Sequence, residues 1–449
     1  NQSTQLFTAP LEADIFEPVA LYSEKPQFGL LSSRVLESLT QTIMANRLNS
    51  NSREGQKIIS LNLKQMHDLQ NGKWTEFKNY LQEAFKIERG DSGIPKKMIL
   101  TEETIWCLDE WLKLMLMTLE DSYEEVLDVT TEILRSLRNC VSNAENHQLI
   151  ENSDILMTCN NFFTNTIEVN KNSICLKVLL QFLINLITAN KADTKKVYDI
   201  FFENIKTCLS QDVHLYETSA LIYNISLSIP IHDITVLNLV IEKYVNDEHH
   251  NEFLIFFLEK CVSYRCFWDN YENLTLGNKI AVLQILRHMQ IKLITHNLPS
   301  TGLEILTDFF LKSMDVIFQV KQEVSKNVYE ISLILEIISS LSSDPIYLQE
   351  LQKQKDLFIN AGVLLINVHR LGKEPENCFT PVQRLSEFTD KTVLKDHPAF
   401  GFKADLVRLI GNFCWKNVQF QNLARSCQVI PVILECCNMD AKNPCILKK

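Results

Sequence analysis

Four asparagines occupy similar places in this sequence, each near the end of an apolar helical segment. They are Asn139 in ILRSLRNCV, Asn185 in LLQFLINLI, Asn224 in SALIYNISL and Asn412 in LVRLIGNFC. A side-chain amide offers two N–H donors and one acceptor, which suits it to hold the backbone of a bound peptide. We therefore predict that these amides contact a protein partner. The alternative is that each amide satisfies loop backbone groups between neighbouring repeats.

A second candidate contact surface is a cluster of aromatic residues in the stretch KCVSYRCFWDNYENL. Tyr264, Arg265 and Trp268 belong to it, and these three residue types are enriched at protein-binding hot spots. The alternative is that the rings pack between a helix and a long loop. The two interpretations differ for Trp268→Ala, which weakens partner capture if the ring is a surface contact and lowers stability if the ring is buried.

Metal-binding residue types also come close together once in the chain. His249, His250, Cys261 and Cys266 lie within 18 residues. The two cysteines are too widely spaced for the paired ligands of structural zinc, and the glycines of a zinc knuckle are missing. We interpret the cysteines as core residues and predict neither a metal nor another cofactor.

Sequence signatures of catalysis are missing as well. The chain has no glycine-rich phosphate loop, no G-x-S-x-G elbow and no H-E-x-x-H motif. Its carboxylates are numerous but fall on the polar faces of helical patterns, as in SYEEVLDVTTE. We therefore expect a protein that is not an enzyme.

The elements that would position these residues are all predicted to be helices. The chain has 449 residues but only 11 glycines and 12 prolines, fewer than the tight turns of a sheet-rich protein of this length require. Apolar residues recur with the period of an α-helix, and no alternating strand pattern stands between turn residues. The sequence predicts an all-α fold.

Internal repetition gives the architecture. Asn139 and Asn185 are 46 residues apart, and Asn185 and Asn224 are 39 apart, close to the length of armadillo and HEAT repeats. Two further segments, IAVLQILRHMQ and ISLILEIISSLS, carry His288 and Glu336 at the place of the asparagine. We predict a right-handed α-solenoid of armadillo-like repeats, each ending in a long third helix.

The segments that follow the third helices have a common layout of polar loop, short helix and second helix. NAENHQLIENSDIL and NVQFQNLARSCQVIPVILECC both show it. In LSSDPIYLQELQKQKDLFINAGVLLINVHRL, the second helix is predicted to begin at the glycine of AGVLLINV. The predicted regions are an N-terminal helical region over 1–118, armadillo-like repeats over 119–345 and C-terminal repeats over 346–449.

Charge and cysteine content restrict the partners and the compartment. The net charge of −11 disfavours nucleic acid, which needs a basic surface. No apolar run is long enough for a transmembrane helix, and the first residues do not resemble a secretory signal. The 13 dispersed cysteines are typical of reduced thiols that pack in a core. We expect a protein of the cytosol or nucleus without membrane insertion.

The stretch from His397 to Leu447 contains a series of distinctive segments, namely Gly401–Lys403, Arg408–Asn412, Lys416 with Asn417, Ile430–Leu434 and Cys437–Pro444. In these segments the chain is similar to the C-terminal domain of the ataxin-10 family, and the similarity covers about the last 90 residues. The preceding AGVLLINVHRLGKEPENCF is similar to the same family more loosely, whereas the first 350 residues fit it by length, helix content and repeat style. In the family the domain continues beyond the Asn-Pro, so the last repeat is expected to be incomplete, with an apolar end face.

The resemblance implies an armadillo-repeat protein without enzymatic activity. It also implies a cytoplasmic location, roles in neuron survival, neurite growth and cytokinesis, and protein partners that include signalling proteins and a glycosyltransferase. The expected function is that of a scaffold or adaptor, and a homo-oligomer remains open.

A transport adaptor of the import-receptor type is one alternative. Those receptors place a tryptophan four residues before the asparagine, where this chain has Arg135, Gln181, Ala220 and Arg408. Binding of nuclear-import signals is therefore disfavoured. The other alternative is a helical enzyme or a regulatory subunit of one, which would need a pocket with convergent titratable groups.

Overall fold

The computed structural model describes residues 74–84, 100–118, 123–141, 143, 145–171, 173–247, 251–291, 298–319, 326–374, 378–382, 397, 399–438 and 440–443. These residues form α-helices, two short 3-10 helices at Tyr271–Asn273 and Met314–Gln319, and connecting turns, without any strand. The all-α prediction is confirmed for them.

In chain order the α-helices are α1 (Trp74–Ala84), α2 (Glu102–Thr118), α3 (Tyr123–Cys140), α4 (Glu145–Asn152), α5 (Ile155–Val169), α6 (Ile174–Ala189), α7 (Asp193–Gln211), α8 (Leu215–Ser226), α9 (Ile234–Asn246), α10 (Glu252–Cys261), α11 (Arg265–Asp269), α12 (Leu276–Ile291), α13 (Ser300–Ser313), α14 (Lys326–Leu341), α15 (Pro345–Leu351), α16 (Lys355–Leu371), α17 (Phe402–Cys414), α18 (Val418–Ser426) and α19 (Val429–Cys436).

Most of the helices are arranged in two rows. Consecutive members of the first row pack against each other in the order α1, α3, α6, α8, α10, α12, α14 and α17. The second row packs in two stretches, α2, α5, α7 and α9, and then α11, α13, α16 and α19. Because the main contacts join neighbouring helices, the architecture is the predicted α-solenoid. Its handedness stays a prediction.

The predicted third helices all belong to the first row. The helices that carry Asn139, Asn185, Asn224 and Asn412 are α3, α6, α8 and α17, and the two segments assigned between them are α12 and α14. The first row also contains α10, which the repeat pattern did not identify. Its sequence, EFLIFFLEKC, carries no asparagine near its end.

Local sequence signals fix where several helices begin. Ser173 Oγ accepts the N–H of Leu176 at the start of α6, and Asp233 Oδ1 accepts the N–H of Thr235 at the start of α9. Asp344 caps α15, in which a proline follows at the first helical position. These are the residue types that satisfy the free N–H groups of a first turn.

The apolar sequence of α6, ICLKVLLQFLINLITA, explains its central place. Nine of its residues are buried, among them Leu179, Leu183 and Phe182. A helix that is apolar around most of its circumference must be covered on several sides. The neighbours α3 and α8 in the first row and α5 and α7 in the second row supply that cover.

Two buried polar side chains in the first turn of α4 join consecutive units. Asn146 donates to Cys140 O at 2.8 Å and accepts from the N–H of Leu100 at 2.8 Å. His147 Nε2 donates to Val141 O, and its Nδ1 lies 2.6 Å from Asp193 Oδ2 at the start of α7. Because buried polar groups are costly unless they are hydrogen-bonded, these bonds specify how one unit sits on the next.

One predicted boundary is wrong. The helix assigned to AGVLLINV begins at Lys355, seven residues before Gly362, and runs through that glycine without interruption. Gly362 is buried in the middle of α16, and a Cβ there would lie 3.8 Å from Val429 of α19, an ordinary van der Waals distance. The glycine therefore lies inside a continuous helix and does not mark a turn.

The N-terminal region is represented by α1 and α2. α1 packs on α3, and α2 packs on α3 and α5, so both helices are part of the two rows. The region boundaries near residues 118 and 345 stay predictions. Among the described residues, no single helix is long and apolar enough to cross a membrane; α14 and α15 meet the length and composition criteria only as a pair bent by 117°.

Cysteine side chains pack in the core in the way the sequence predicts. All the cysteines within the described ranges are free, and Cys107, Cys140 and Cys208 are buried. Burial raises the pKa of each of these three thiols to about 12. They stay protonated at neutral pH and behave as small apolar side chains.

A buried carboxyl group makes stability depend on pH. Glu330 of α14 is 4% exposed, and burial raises the pKa of its carboxyl although Lys279 opposes that shift. The folded chain thus keeps this proton at higher pH than the unfolded chain does. The contribution to stability is largest below the unfolded pKa and is lost as pH rises through the folded pKa.

We expect Glu330→Gln to raise the melting temperature at about pH 7.5, because the neutral amide no longer has to be buried as an anion. The difference from the wild type should shrink as the pH is lowered towards about 4.5. Melting curves across this range test the expectation, with the exposed Glu272→Gln as control. A difference that stays constant with pH would contradict it.

Candidate partner-binding surface

The first three long helices of the first row carry a connected set of polar side chains. Arg138 of α3 donates to Gln181 Oε1 of α6 at 2.7 Å, and Gln181 Nε2 lies 3.5 Å from Glu217 Oε1 of α8. Lys177 of α6 forms an ion pair with the same Glu217 oxygen at 3.3 Å. We call Arg138, Lys177, Gln181 and Glu217 the N-terminal polar strip.

A second connected set lies on α12, α14 and α17. Gln284 Nε2 donates to the hydroxyl of Tyr329 at 3.3 Å, and Arg287 Nε lies 3.0 Å from Glu336 Oε1. On the other side of α14, Arg408 donates to Ser339 Oγ at 3.3 Å. We call Gln284, Arg287, Tyr329, Glu336 and Arg408 the C-terminal polar strip.

The charges of the C-terminal polar strip are partly shielded from water. Burial raises the pKa of Glu336, with Arg287 acting in the opposite direction and Asp405 adding to the rise. Arg408 Nη1 also lies 3.4 Å from Asp405 Oδ1. Ion pairs that are this exposed contribute little to the stability of the fold.

The four predicted asparagines all lie on first-row helices, but their surroundings differ. Asn412 donates to Ser342 Oγ at 2.9 Å and to Ser343 Oγ at 3.2 Å, and Asn224 donates within its own helix to Ala220 O at 2.8 Å. Asn139 is half-buried, whereas Asn185 is exposed. Asn185 is therefore the asparagine most open to a partner.

The predicted aromatic cluster is divided between core and surface. Trp268 is 1% exposed and donates from its indole N–H to Val262 O at 2.8 Å, so this side chain is a core residue and not a surface contact. Tyr264 is half-buried and donates to Ser226 O at 2.7 Å, where it ties α11 to α8. Only Arg265, with 77% of its side chain exposed, faces solvent.

Trp268 is held in place by tight packing on its other side. A Cβ at Gly302 of α13 would lie 2.7 Å from the indole, closer than carbon atoms can approach. The glycine thus makes room for the ring. The hot-spot hypothesis failed for Trp268 because residue types that suit an interface also suit a core.

Of the four residues considered for metal, only Cys261 and Cys266 lie in the described structure. Cys261 is buried at the end of α10, and Cys266 lies in the five-residue helix α11. His249 and His250 lie outside the described residues. No group of three or more His, Cys, Asp or Glu side chains with the geometry of a metal site occurs in the part of the chain that is described.

One arrangement near the C-terminal end combines the residue types of a nucleophilic triad. His369 Nε2 lies 2.7 Å from Glu435 Oε2, and His369 Nδ1 lies 3.5 Å from Cys436 Sγ. Burial, however, raises the pKa of Cys436 to about 11, so the thiol is protonated at neutral pH. A catalytic cysteine requires the opposite shift, and the arrangement therefore has the character of a packing contact.

The sequence did not reveal the side chains of the two polar strips as a surface. The comparison with import receptors points to four positions, of which Gln181 and Arg408 belong to the strips. Of the other two, Arg135 lies outside the strips and Ala220 is buried. The spacing of about 40 residues between Arg138, Gln181 and Glu217 is the one available signal. This spacing is also the length of one helical repeat, so it does not by itself distinguish contact residues from other residues of the repeat.

The segments that carry the family resemblance have a structural role at the start of α17. Gly401 adopts a φ of 77°, a conformation that favours glycine, and its N–H donates to Lys442 O at 2.9 Å. The N–H of Ala404 donates to Asn443 Oδ1 at 3.2 Å. The polypeptide of residues 440–443 is therefore bound to the first turn of α17.

Residues 378–382 complete this arrangement, which we call the C-terminal clasp (residues 378–382, 401–404 and 440–443). Lys403 is 2% exposed and donates to Phe379 O at 2.9 Å. Asp440 Oδ1 accepts the N–H of Val382 at 3.2 Å, and Lys442 Nζ donates to Cys378 O at 2.6 Å. Three separate segments are thus joined by side-chain to backbone hydrogen bonds.

Beyond the clasp, the last described helices expose apolar side chains. Ile430 and Leu434 of α19 are 40% and 67% exposed, and Trp415 and Val418 near α18 are 67% and 66% exposed. These four large apolar side chains are therefore exposed, and the incomplete last repeat stays a prediction.

Comparison with known sequences identifies the same region. The spinocerebellar ataxia type 10 protein domain matches residues 402–449. Ataxin-10 of Xenopus tropicalis is 35% identical over 114 residues, which are 25% of this chain and 23% of that protein. Ataxin-10 of Homo sapiens is 32% identical over 111 residues, which are 25% of this chain and 22% of that protein.

These matches confirm the resemblance predicted from the C-terminal segments. They span less than a quarter of the length of the ataxin-10 proteins. Among solved structures, the crystal structure of SYS-1 aligns with 84% of this chain and 66% of that chain, at 12% identity and a TM-score of 0.30.

Trp268→Ala is expected to lower the free energy of unfolding by roughly 3–5 kcal/mol, because a buried ring leaves a cavity. The matched control is Trp415→Ala, which removes a ring that is 67% exposed and should change stability by less than about 0.5 kcal/mol. Urea denaturation followed by circular dichroism measures both. Equal effects of the two substitutions would refute the assignment of Trp268 to the core.

Lys403→Met is expected to loosen the C-terminal clasp. The apolar chain keeps most of the buried volume but cannot donate to Phe379 O. Hydrogen exchange of the amides in residues 378–382 should become faster, with Lys373→Met, whose side chain is 62% exposed, as control. Unchanged exchange in Lys403→Met would mean that the bond does not hold this segment.

Proposed function

We propose that this chain is a non-enzymatic scaffold that binds protein partners along the exposed face of its first row. Its C-terminal residues 402–449 match the domain of the ataxin-10 family. The observation that carries the proposal is the pair of polar strips, which follow the first row across α3–α8 and again across α12–α17. A row of parallel helices offers a long partner more area than a compact domain of the same mass does.

The charge of the chain supports a choice among partners. The net charge of −11 attracts basic segments and repels acidic ones at long range. We therefore favour protein segments that are basic or neutral over nucleic acid, whose phosphates this chain would repel.

The finer roles that the family resemblance implies are part of the same proposal. They are a cytoplasmic location, association with signalling proteins and a glycosyltransferase, and participation in neuron survival, neurite growth and cytokinesis. The C-terminal similarity to ataxin-10 supports these roles, and the matched residues are about a quarter of the chain.

A transport adaptor of the import-receptor type has less support. None of the helices α3, α6, α8, α10, α12, α14 and α17 contains a tryptophan. At the positions where import receptors have one, Gln181 and Arg408 take part in hydrogen bonds between helices. These positions therefore lack the apolar slots that such receptors offer to the stems of lysine side chains.

The scaffold proposal is tested by substitution of one exposed asparagine in each row. Asn185→Arg places a bulky cation on α6 next to the N-terminal polar strip, whereas Asn165→Arg places the same cation on α5 of the second row. Wild type and both variants are immobilised, incubated with cell extract and cross-linked, and the captured proteins are quantified by mass spectrometry.

We expect Asn185→Arg to reduce capture of specific partners about tenfold, the effect of about 1.4 kcal/mol at an interface, and Asn165→Arg to leave it unchanged. Equal capture by all three proteins would place the partner elsewhere. Recovery of chaperones alone by the wild type would contradict a scaffold. Strong thermal stabilisation by a nucleotide or a metal ion would favour a regulatory subunit of an enzyme.

A further inference from the structure

Between the two polar strips, the first row carries four aromatic rings in contact with one another. Tyr216 and Tyr223 lie on α8, and Phe253 and Phe256 lie on the neighbouring α10. The centroid of the Phe253 ring is 5.1 Å from that of Tyr216, 6.1 Å from Tyr223 and 6.3 Å from Phe256. We call these four residues the aromatic platform.

The platform is open to solvent although it is apolar. Tyr216 is 54% exposed and Phe256 is 39% exposed, and the two rings between them are half-buried. Aromatic side chains that cluster at a surface are a common property of protein-binding sites.

Hydrogen bonds at both ends hold the two helices of the platform in fixed positions. Asn251 caps α10 and donates to Ser219 Oγ of α8 at 3.2 Å. At the other end, the hydroxyl of Tyr264 donates to Ser226 O of α8 at 2.7 Å. A surface that is fixed before binding loses little conformational entropy when a partner arrives.

Carboxylates surround the rings. Glu252 and Glu217 lie close enough to the hydroxyl of Tyr216 to raise its pKa, after the larger effect of burial, and Glu259 acts in the same way on Tyr223. Glu217 is also the last residue of the N-terminal polar strip. The platform is therefore an apolar surface with an acidic border.

The chain does not supply a cation to these rings within its described part. The lysines that lie over aromatic rings there are over Tyr198, Tyr264, Tyr271, Phe309 and Trp415. The nearest of them along α10, Lys260, is 4.7 Å from the centroid of Tyr264. The faces of the platform rings remain available to a cation from outside.

The geometry points to one occupant for the aromatic platform: an arginine-bearing segment of a partner protein. A guanidinium group stacks flat on an aromatic ring and bonds to carboxylates at the same time. Its aliphatic stem covers the rings, while its charged end reaches Glu252 or Glu259. Both halves of the surface, the rings and the acidic border, are then satisfied by one residue type.

This inference deepens the proposed scaffold function, on which it rests, because it specifies the partner chemistry at one segment of the first row. It is tested with purified full-length chain and synthetic peptides. The probe is a fluorescein-labelled nonapeptide in which three arginines alternate with glycine and leucine. One matched peptide replaces each arginine by citrulline, which has the same shape without the charge, and another replaces each arginine by glutamate.

The expected result is saturable binding of the arginine peptide in fluorescence anisotropy, with affinity at least tenfold lower for the citrulline peptide. The glutamate peptide should not bind. Binding of the arginine peptide should weaken as salt is added, because part of the attraction is between exposed charges. Equal binding of the arginine and citrulline peptides would overturn the proposal in favour of an apolar occupant.

Two variants of the chain locate the binding site. Phe256→Ala should weaken the arginine peptide about tenfold, whereas Phe318→Ala, on a 3-10 helix elsewhere, should have no effect. Phe256 and Phe318 have the same exposure of 39%, so the pair is matched for loss of surface area. Glu252→Gln, which alters the acidic border without touching a ring, should weaken binding by a smaller factor. An equal response to Phe256→Ala and Phe318→Ala would overturn the proposal.

The oligomeric state and the extract experiment separate the remaining outcomes. If Phe256→Ala alters the sedimentation coefficient of the chain alone, a second copy covers the platform and the proposal is overturned. If partners are captured from extract equally by wild type and Phe256→Ala and the peptide does not bind, the scaffold function stands and the platform is not its site. If the peptide binds but extract yields no partner, the platform stands and the scaffold function fails.

Discussion

Apolar packing between consecutive helices of the first row is the interaction on which the rest of the molecule depends. A helix such as α6 has neighbours on both sides in its own row and others in the second row, so residues like Leu179 and Leu183 are buried in several directions. What remains for polar residues is a narrow face of each helix. The polar strips and the aromatic platform lie where those faces follow one another from unit to unit.

Much of this helix arrangement could be predicted from the periodicity of the sequence. Scarce glycine, long amphipathic segments and asparagines about 40 residues apart predict an α-solenoid and identify α3, α6, α8, α12, α14 and α17 as its third helices. The pattern missed α10, whose sequence is short and rich in phenylalanine. It also placed a helix start at Gly362, because the sequence alone does not distinguish a glycine inside a helix from a glycine at a turn.

The candidate site was less predictable than the fold, for a physical reason. Periodicity shows which face of a helix is apolar, but not which neighbour covers it. Trp268 and the rings of Tyr216 and Phe256 are similar in composition, yet packing against Gly302 buries the first and nothing comparable covers the others. The contact of Arg138 with Gln181 depends on the register between two helices, which residue types do not specify.

The residues of the C-terminal clasp identify relatives of this chain, but their side chains and backbone groups are used for contacts within the chain. Gly401, Lys403, Asp440 and Asn443 stand in the segments by which ataxin-10 relatives are identified, and each is occupied in fastening its own backbone. A match in these positions therefore reports a shared set of hydrogen bonds around the first turn of α17. The aromatic platform lies on α8 and α10, outside these segments, so its residues can change without any effect on the clasp.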